Sequence, residues 1–307
     1  MKDSKPFVKW VGGKTQLIKN IESSLPEDFK DNRNTTYIEP FVGGGAVLFW
    51  LLKTYPNIKQ AIINDINPDL TGTYSTIKET PKQLIEFLSE IQESYYSTIE
   101  EERKDFFLEK RAVYNANELS RVERSGLFIF LNRTCFNGLY RVNKKGGFNV
   151  PFGKYTNPKI CNEQTILADS ELLQKVEILT GDFSQTLDYA TKDTLFYFDP
   201  PYKPISTTSS FTTYTKEDFN DNDQLRLGDF CRRINEIGAK FLLSNSDLKN
   251  INPGDEFFDE LYDQFSIERI SASRMINSKA DKRGKISEIL VSNVNLNNPN
   301  LEYERAI

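Results

Sequence analysis

The residues best placed to do chemistry are Asp199-Pro200-Pro201-Tyr202. They follow Thr194-Leu195-Phe196-Tyr197-Phe198, a short apolar and aromatic run that predicts a buried strand. Two prolines must end that strand at once, because neither carries an N–H for a sheet ladder. An acid, a rigid turn and an aromatic ring are thereby grouped at the carboxyl end of a strand, the end at which open α/β sheets bind ligands. A carboxylate there can hold an amino group by hydrogen bonding, and the ring can stack on a flat base. The same residues would also serve as a plain Asp-Pro turn closing a core strand, so other stretches must decide.

Further acids and cations sit beside turns. Phe7-Val8-Lys9-Trp10-Val11-Gly12-Gly13-Lys14-Thr15 imitates the end of a P-loop, but Val8 stands where that loop needs its first glycine, so an NTP cradle is rejected. What remains is a glycine turn presenting Trp10 and Lys14. It suits a ligand's aromatic face and carboxylate, or simple N-terminal packing. Residues 36–41 predict a strand, Val42-Gly43-Gly44-Gly45 a turn, and residues 46–52 an apolar helix. Leu48 replaces the third glycine of the dinucleotide fingerprint, which argues against a pyrophosphate site and leaves close approach of another ligand open. The next strand, 60–64, ends in Asp65, 22 positions after Gly43, where such units place a carboxylate on ribose hydroxyls. Asn64-Asp65-Ile66-Asn67 equally reads as the cap of a helix starting near Pro68. Residues 175–179 resume the sheet and deliver Gly181-Asp182-Phe183, a second strand-end acid beside a ring.

Composition narrows the chemistry. The chain of 307 residues has room for one large domain with an insertion, or for two modest ones. There is no histidine, which excludes Ser-His-Asp and Cys-His nucleophiles and His-ligated zinc. No metal is expected, and the work falls to carboxylates, amides, aromatics and backbone groups. Cys135, Cys161 and Cys231 are widely spaced and form no disulfide framework, which predicts a cytoplasmic protein. A mean hydropathy of -0.52, no run of 18 apolar residues and no signal-peptide core predict solubility and no membrane partner. The net charge is -5, yet the stretch 124–162 holds Arg124, Arg133, Arg141, Lys144, Lys145, Lys154 and Lys159 without an acid. A second stretch, 269–287, is also basic, with Asp281 as its one acid. Such patches on an acidic protein suggest a local polyanion site, solvated loops being the alternative.

The elements that must position these residues alternate strand and helix, interrupted by helical sequence from about 69 to 131. Pro81 opens a helix whose Leu84, Phe87, Leu88 and Ile91 share a face; residues 100–117 predict a charged helix and 125–131 a short apolar one. Residues 132–143, a Lys144-Lys145-Gly146-Gly147 turn and residues 148–155 predict a β-ribbon arm interleaving Arg, Asn, Lys and aromatics. Such an arm fits a major groove, with Arg forking onto guanine, Asn pairing with adenine and Lys neutralising phosphates. Residues 206–214 form a loop long enough to cover a site. A helix follows from 217, then a strand at 240–246, a closing pair at 266–270 and 288–294, and a frayed tail from 295.

Taken in order, Lys9-Trp10-x-Gly-Gly-Lys14, Glu39-Pro-Phe-Val-Gly-Gly-Gly45, Asn64-Asp65, Phe136-Asn-Gly-Leu-Tyr-Arg141, Phe148-Asn-Val-Pro-Phe-Gly153, Gly181-Asp-Phe183 and Asp199-Pro-Pro-Tyr202 cover nearly the whole chain. The set resembles the Dam-type DNA adenine-N6 methyltransferases of the D12 class, which use S-adenosylmethionine. The resemblance implies an α/β fold: a Rossmann-like seven-stranded methyltransferase sheet with a helical target-recognition insertion. The catalytic domain would comprise 1–68 and 169–307, and the DNA-binding domain 69–168 with its hairpin arm. It places Trp10, Lys14, Glu39, Gly43, Gly45, Asp65, Asp182 and Asp199 around S-adenosylmethionine. In that arrangement Asp65 would take the ribose hydroxyls, Asp182 the adenine amine and Lys14 the carboxylate. Asp199, Pro200 and Tyr202 would act on an adenine flipped out of double-stranded DNA. Lys9, Arg133, Asn137, Leu139 and Arg141 are the expected DNA contacts, with Arg141 on a guanine of GATC. A cognate restriction endonuclease is the expected functional partner. Methylation of cytosine N4 or of RNA adenine, and a DNA-binding regulator on the same fold, remain alternatives at this point.

Overall fold

The computed structural model describes residues 3–10, 12–32, 35–116, 118–203, 219–273 and 285–294. The loop at 206–214, most of the second basic stretch and the tail from 295 lie outside these residues.

Seven strands form one sheet: β1 (Thr35–Glu39), β2 (Ile58–Asp65), β3 (Val176–Thr180), β4 (Thr194–Phe198), β5 (Lys240–Ser246), β6 (Ser266–Ser273) and β7 (Lys285–Ser292). Their spatial order is β3-β2-β1-β4-β5-β7-β6. Neighbours from β3 to β5 pair in parallel, while β7 is antiparallel to both β5 and β6. The seven-stranded α/β sheet expected from the motif order is therefore present.

Strand β4 explains why its sequence is apolar throughout. All five residues are buried, as expected for a parallel strand covered on both faces. Leu195 and Tyr197 enter one hydrophobic cluster, while Phe196 and Phe198 enter the other. The period of two divides β1 and β2 likewise: Tyr37, Ala61 and Ile63 face the first cluster, Ile38 and Ile62 the second.

The helices are α1 (Ile18–Ser23), α2 (Ala46–Thr54), α3 (Pro68–Glu79), α4 (Pro81–Ser97), α5 (Arg103–Asn115), α6 (Arg121–Thr134), α7 (Glu163–Leu173), α8 (Asp221–Ile237) and α9 (Phe257–Leu261). Asn67 caps α3, its Oδ1 accepting from the N–H groups of Asp69 and Leu70, with Pro68 at the first helical position. Helix α6 is longer than its apolar stretch suggests. Ser120 and Glu123 form a capping box, and the helix runs on through Arg133 to Thr134.

Helices α4, α5 and α6 lie between β2 and β3 in the chain, within the stretch 69–168. Their apolar residues Leu84, Phe107 and Phe130 belong to the same cluster as Tyr37 and Ile63 of the sheet. The expected boundaries fall at the start of α3, which packs on β2, β3 and α6, and within α7, which packs on α2, α3 and α4. A shared apolar core thus joins the sheet and these helices.

Candidate active site

Four acids line the carboxyl ends of four adjacent parallel strands. In spatial order they are Asp182 after β3, Asp65 ending β2, Glu39 ending β1 and Asp199 after β4. Among the described residues no group of three or more acids or cysteines has the arrangement of a metal site.

Each acid meets a different environment. Asp65 Oδ2 accepts from Gly43 N–H at 3.1 Å and Oδ1 from Asn67 N–H at 2.9 Å. Burial pushes its carboxyl up to about 6, against those hydrogen bonds. Glu39 is buried and accepts from Tyr37 Oη at 2.7 Å; burial holds its carboxyl well above the usual range. Asp182 is half exposed. Burial alone would raise its carboxyl, but Ser184 N–H and the Arg226 guanidinium, 2.9 and 3.0 Å from its two oxygens, hold it below the usual range. Asn64, buried between them, donates to the carbonyls of Pro40 and Gly181 and accepts from Gln185 Nε2, tying the ends of β1, β2 and β3 together.

The glycine turn is shaped by contact. Gly43 sits at φ +48°, and a Cβ there would lie 2.8 Å from Trp10 Cδ1. Gly45, at φ +73°, begins α2. Left-handed backbone and close approach of an indole together require glycine at 43.

Asp199 is the most closely guarded acid. Lys14 Nζ lies 2.8 Å from its Oδ1 and 2.7 Å from the Gly12 carbonyl oxygen. The ammonium also stands 4.5 Å from the centroid of the Tyr202 ring. Ser244 Oγ, from β5, reaches the same Oδ1 at 3.5 Å. Burial raises the Asp199 carboxyl, with Lys14 acting against that rise. Tyr202 Oη donates to Glu288 Oε2 at 2.6 Å, so β7 fixes the ring beside the acid. Lys14 is thus engaged with Asp199, where sequence reasoning had assigned it to a ligand's carboxylate.

The second half of the site is the arm after α6. Two isolated antiparallel bridges, Cys135 with Phe152 and Val142 with Phe148, hold it in place of a regular two-stranded ribbon. Asn143 builds the tip, its Oδ1 accepting from Lys145 and Gly147 N–H. Arg141 is exposed, and its guanidinium is aimed by Asn149: Nε donates to Oδ1 at 2.7 Å and Nη2 to the backbone oxygen at 3.1 Å. Asn137 is exposed at φ +55°, while Leu139 is half-buried.

Lys9 comes to this arm from the N-terminal segment. Asn132, fully buried, exchanges hydrogen bonds with both backbone groups of Lys9 and donates to the Gly138 carbonyl. Gly138, at φ +63°, lies under the Lys9 side chain, whose Nζ stands 4.1 Å from the Tyr155 ring centroid. Lys9 is thereby brought to the arm that carries Asn137, Leu139 and Arg141. Arg133 is not: it lies on α6, and its guanidinium donates twice to the Phe7 carbonyl. Asn132, Ser244 and Glu288 had no sequence signal as site residues, because each acts through a contact with a distant segment.

Over residues 10–276 the chain matches the family model of the D12 class N6 adenine-specific DNA methyltransferases. It is 51% identical over 292 residues to the type II methyltransferase M.MjaIII of Methanocaldococcus jannaschii, covering 94% of this chain and 99% of that protein. It is 40% identical to the type II methyltransferase M1.LlaDCHI of Lactococcus lactis subsp. cremoris, covering 94% and 95%. It is 34% identical to the DNA adenine methylase of Vibrio cholerae, covering 94% and 96%.

Proposed function

The chain belongs to the D12 class of N6 adenine-specific DNA methyltransferases, and on that premise we propose that it methylates N6 of an adenine flipped out of double-stranded DNA, within GATC, with S-adenosylmethionine as donor. The observation that carries this reading is the row of four acids at adjacent strand ends, finished by Asp199, Lys14 and Tyr202.

The residues present fit the donor. The Gly43 turn carries the Trp10 ring against it, and half-buried Asp65 stands beside it, accepting from the Gly43 N–H. Asp65 would hold the ribose hydroxyls, Asp182 the adenine amine, and Gly43, Gly45 and Trp10 the wall of the cleft, with Glu39 fixing the turn from below. When bound, S-adenosylmethionine supplies an electrophilic methyl group.

The protein's own work is to prepare the nucleophile. An adenine N6 lone pair is conjugated with the ring and weakly nucleophilic. The Asp199 carboxylate and the Pro200 carbonyl accept its two hydrogens, drawing the nitrogen toward tetrahedral geometry, while Tyr202 stacks on the base. Positioning and fixed electrostatics supply the acceleration, without a covalent intermediate. Base flipping follows from the location of N6 within the duplex stack. The arm carrying Arg141, with Lys9, reads the flanking bases.

The names of the relatives include type II methyltransferases. We place this chain in the same role, protecting sites against a cognate endonuclease. Labelled methyl transfer to duplexes bearing GATC, single-base variants of it, or cytosine targets tests the reading. Incorporation restricted to adenine of GATC is expected; equal incorporation into a scrambled duplex would remove the sequence assignment.

A further inference from the structure

Among the described residues Lys14 is the one lysine or arginine that is buried, 6% exposed, and its side chain is committed within the site. Its ammonium satisfies Asp199 Oδ1 and the Gly12 carbonyl and rests against the Tyr202 ring. Among the described residues both donors to the Asp199 carboxyl, Lys14 and Ser244, act on Oδ1, and Oδ2 has none. Burial and the Glu288 carboxylate oppose its charge. Glu39 and Tyr37 approach from β1, Tyr197 from β4, Tyr202 from the turn and Glu288 from β7. A buried acid beside a second carboxylate would take up a proton without a cation beside it.

We propose that Lys14 is a positioning residue of the methyl-transfer site: by pairing with Oδ1 it keeps Asp199 ionised and leaves Oδ2 as the acceptor for the substrate amine. A protonated Asp199 would present an O–H toward the amine and lose acceptor strength at the atom that needs it. The Tyr202 ring and the Gly12 carbonyl hold the ammonium in place, so the pair is prepared before substrate arrives. This role rests on the reading of Asp199 as the acceptor of the adenine amine, and it assigns Lys14 to the acid in place of the donor's carboxylate.

The test compares wild type, Lys14→Gln, Lys14→Met, Lys14→Arg and Asp199→Asn. Carboxyl carbons of aspartate are labelled with ¹³C in the free protein, and the Asp199 signal is assigned by its loss in Asp199→Asn. In Lys14→Gln and Lys14→Met the titration midpoint of Asp199 should rise by about one pH unit or more, and Lys14→Arg should recover most of the shift. The acid limb of the pH profile of kcat/KM should move by the same amount, with methyl-donor Kd changed less than about threefold at pH 8. An unmoved midpoint in folded Lys14→Gln and Lys14→Met overturns the proposal. So does a tenfold weaker donor Kd with an unmoved acid limb, which would return Lys14 to the donor's carboxylate. A wild-type protein that methylates no DNA, with the midpoint still moved by Lys14→Gln, would instead remove the reading of the reaction and leave the ion pair standing.

Discussion

The rings of Trp10 and Tyr140 stack with centroids 5.8 Å apart and 26° between their planes. Trp10 leans on the Gly43-Gly44 turn, and Tyr140 belongs to the arm after α6. The stack is therefore a direct joint between the two halves of the proposed site. Tyr140 Oη also reaches Asp69 Oδ2 at 3.4 Å, where Tyr114 Oη and Arg124 Nε converge on the same carboxylate. The first turn of α3 thereby fastens the arm to the helix that follows Asp65.

Tyr140→Ala removes a buried ring and should cost roughly 3 kcal/mol of stability, as large aromatic truncations do. It should also weaken donor binding, because Trp10 loses its backing. Tyr140→Phe keeps the stack and loses only the contacts of the hydroxyl, to Asp69 and its neighbours Asn67 and Tyr114, so its donor affinity should stay near wild type. Trp10 emission in a Trp50→Phe background reads the binding directly; equal affinity for the Ala and Phe variants would show that the stack does not support the cleft.

Asp199→Asn preserves size and one acceptor oxygen but ends the ion pair with Lys14. Methyl transfer should fall by about 10²–10³-fold, the scale of losing one preorganised electrostatic group. Donor and DNA binding should persist. A near-normal turnover rate would sink the role given to this acid.

Arg141 is held by two hydrogen bonds to Asn149 and is otherwise exposed. Arg141→Ala should cost about 1–3 kcal/mol of discrimination at one base pair. The measurement is kcat/KM on the cognate duplex against each single-base variant. A uniform loss across all duplexes, with a shallower salt dependence, would identify a phosphate contact instead.

Asp65 predicts a pH dependence. Burial raises its folded-state carboxyl to about 6, against roughly 3.9 in an unfolded chain. Between those values the folded protein keeps a proton that the unfolded chain has released. Its contribution to stability is therefore full below about pH 4, declines as pH rises to about 6 and is flat above. Asp65→Asn removes that decline but faces an amide NH2 toward the N–H of Gly43 or Asn67, so it should cost less stability at pH 8 than at pH 5 while weakening donor binding. Thermal melts at pH 5 and 8 check it; a variant destabilised equally at both would contradict the assignment.

Much of this protein was legible in its residues alone. The β4 run, its proline stop, the glycine turns, and the acids at 65, 182 and 199 are local statements. A buried parallel strand must be apolar along its length, and a left-handed turn beside an indole must be glycine. Their order along the chain sufficed to indicate an α/β sheet with acids at its carboxyl edge. The length of α6 was less legible, because a capping box and tertiary packing carry it past its apolar centre. The arm's alternating residues suggested a regular ribbon, yet side-chain hydrogen bonds from Asn143 and Asn149 hold it with two isolated bridges.

What only the tertiary structure decided is which charges meet. The sequence places Lys14 before β1 and Asp199 after β4, and nothing in their spacing pairs them. The pair forms because the N-terminal segment crosses the sheet's carboxyl edge, held by Asn132 at Lys9 and by the glycine turn at Trp10. Arg133 was drawn away from the arm for the same kind of reason, its guanidinium donating to the Phe7 carbonyl within that segment. Hydrogen bonds and ion pairs depend on distances of about 3 Å between groups far apart in the chain, and only the folded backbone sets those distances.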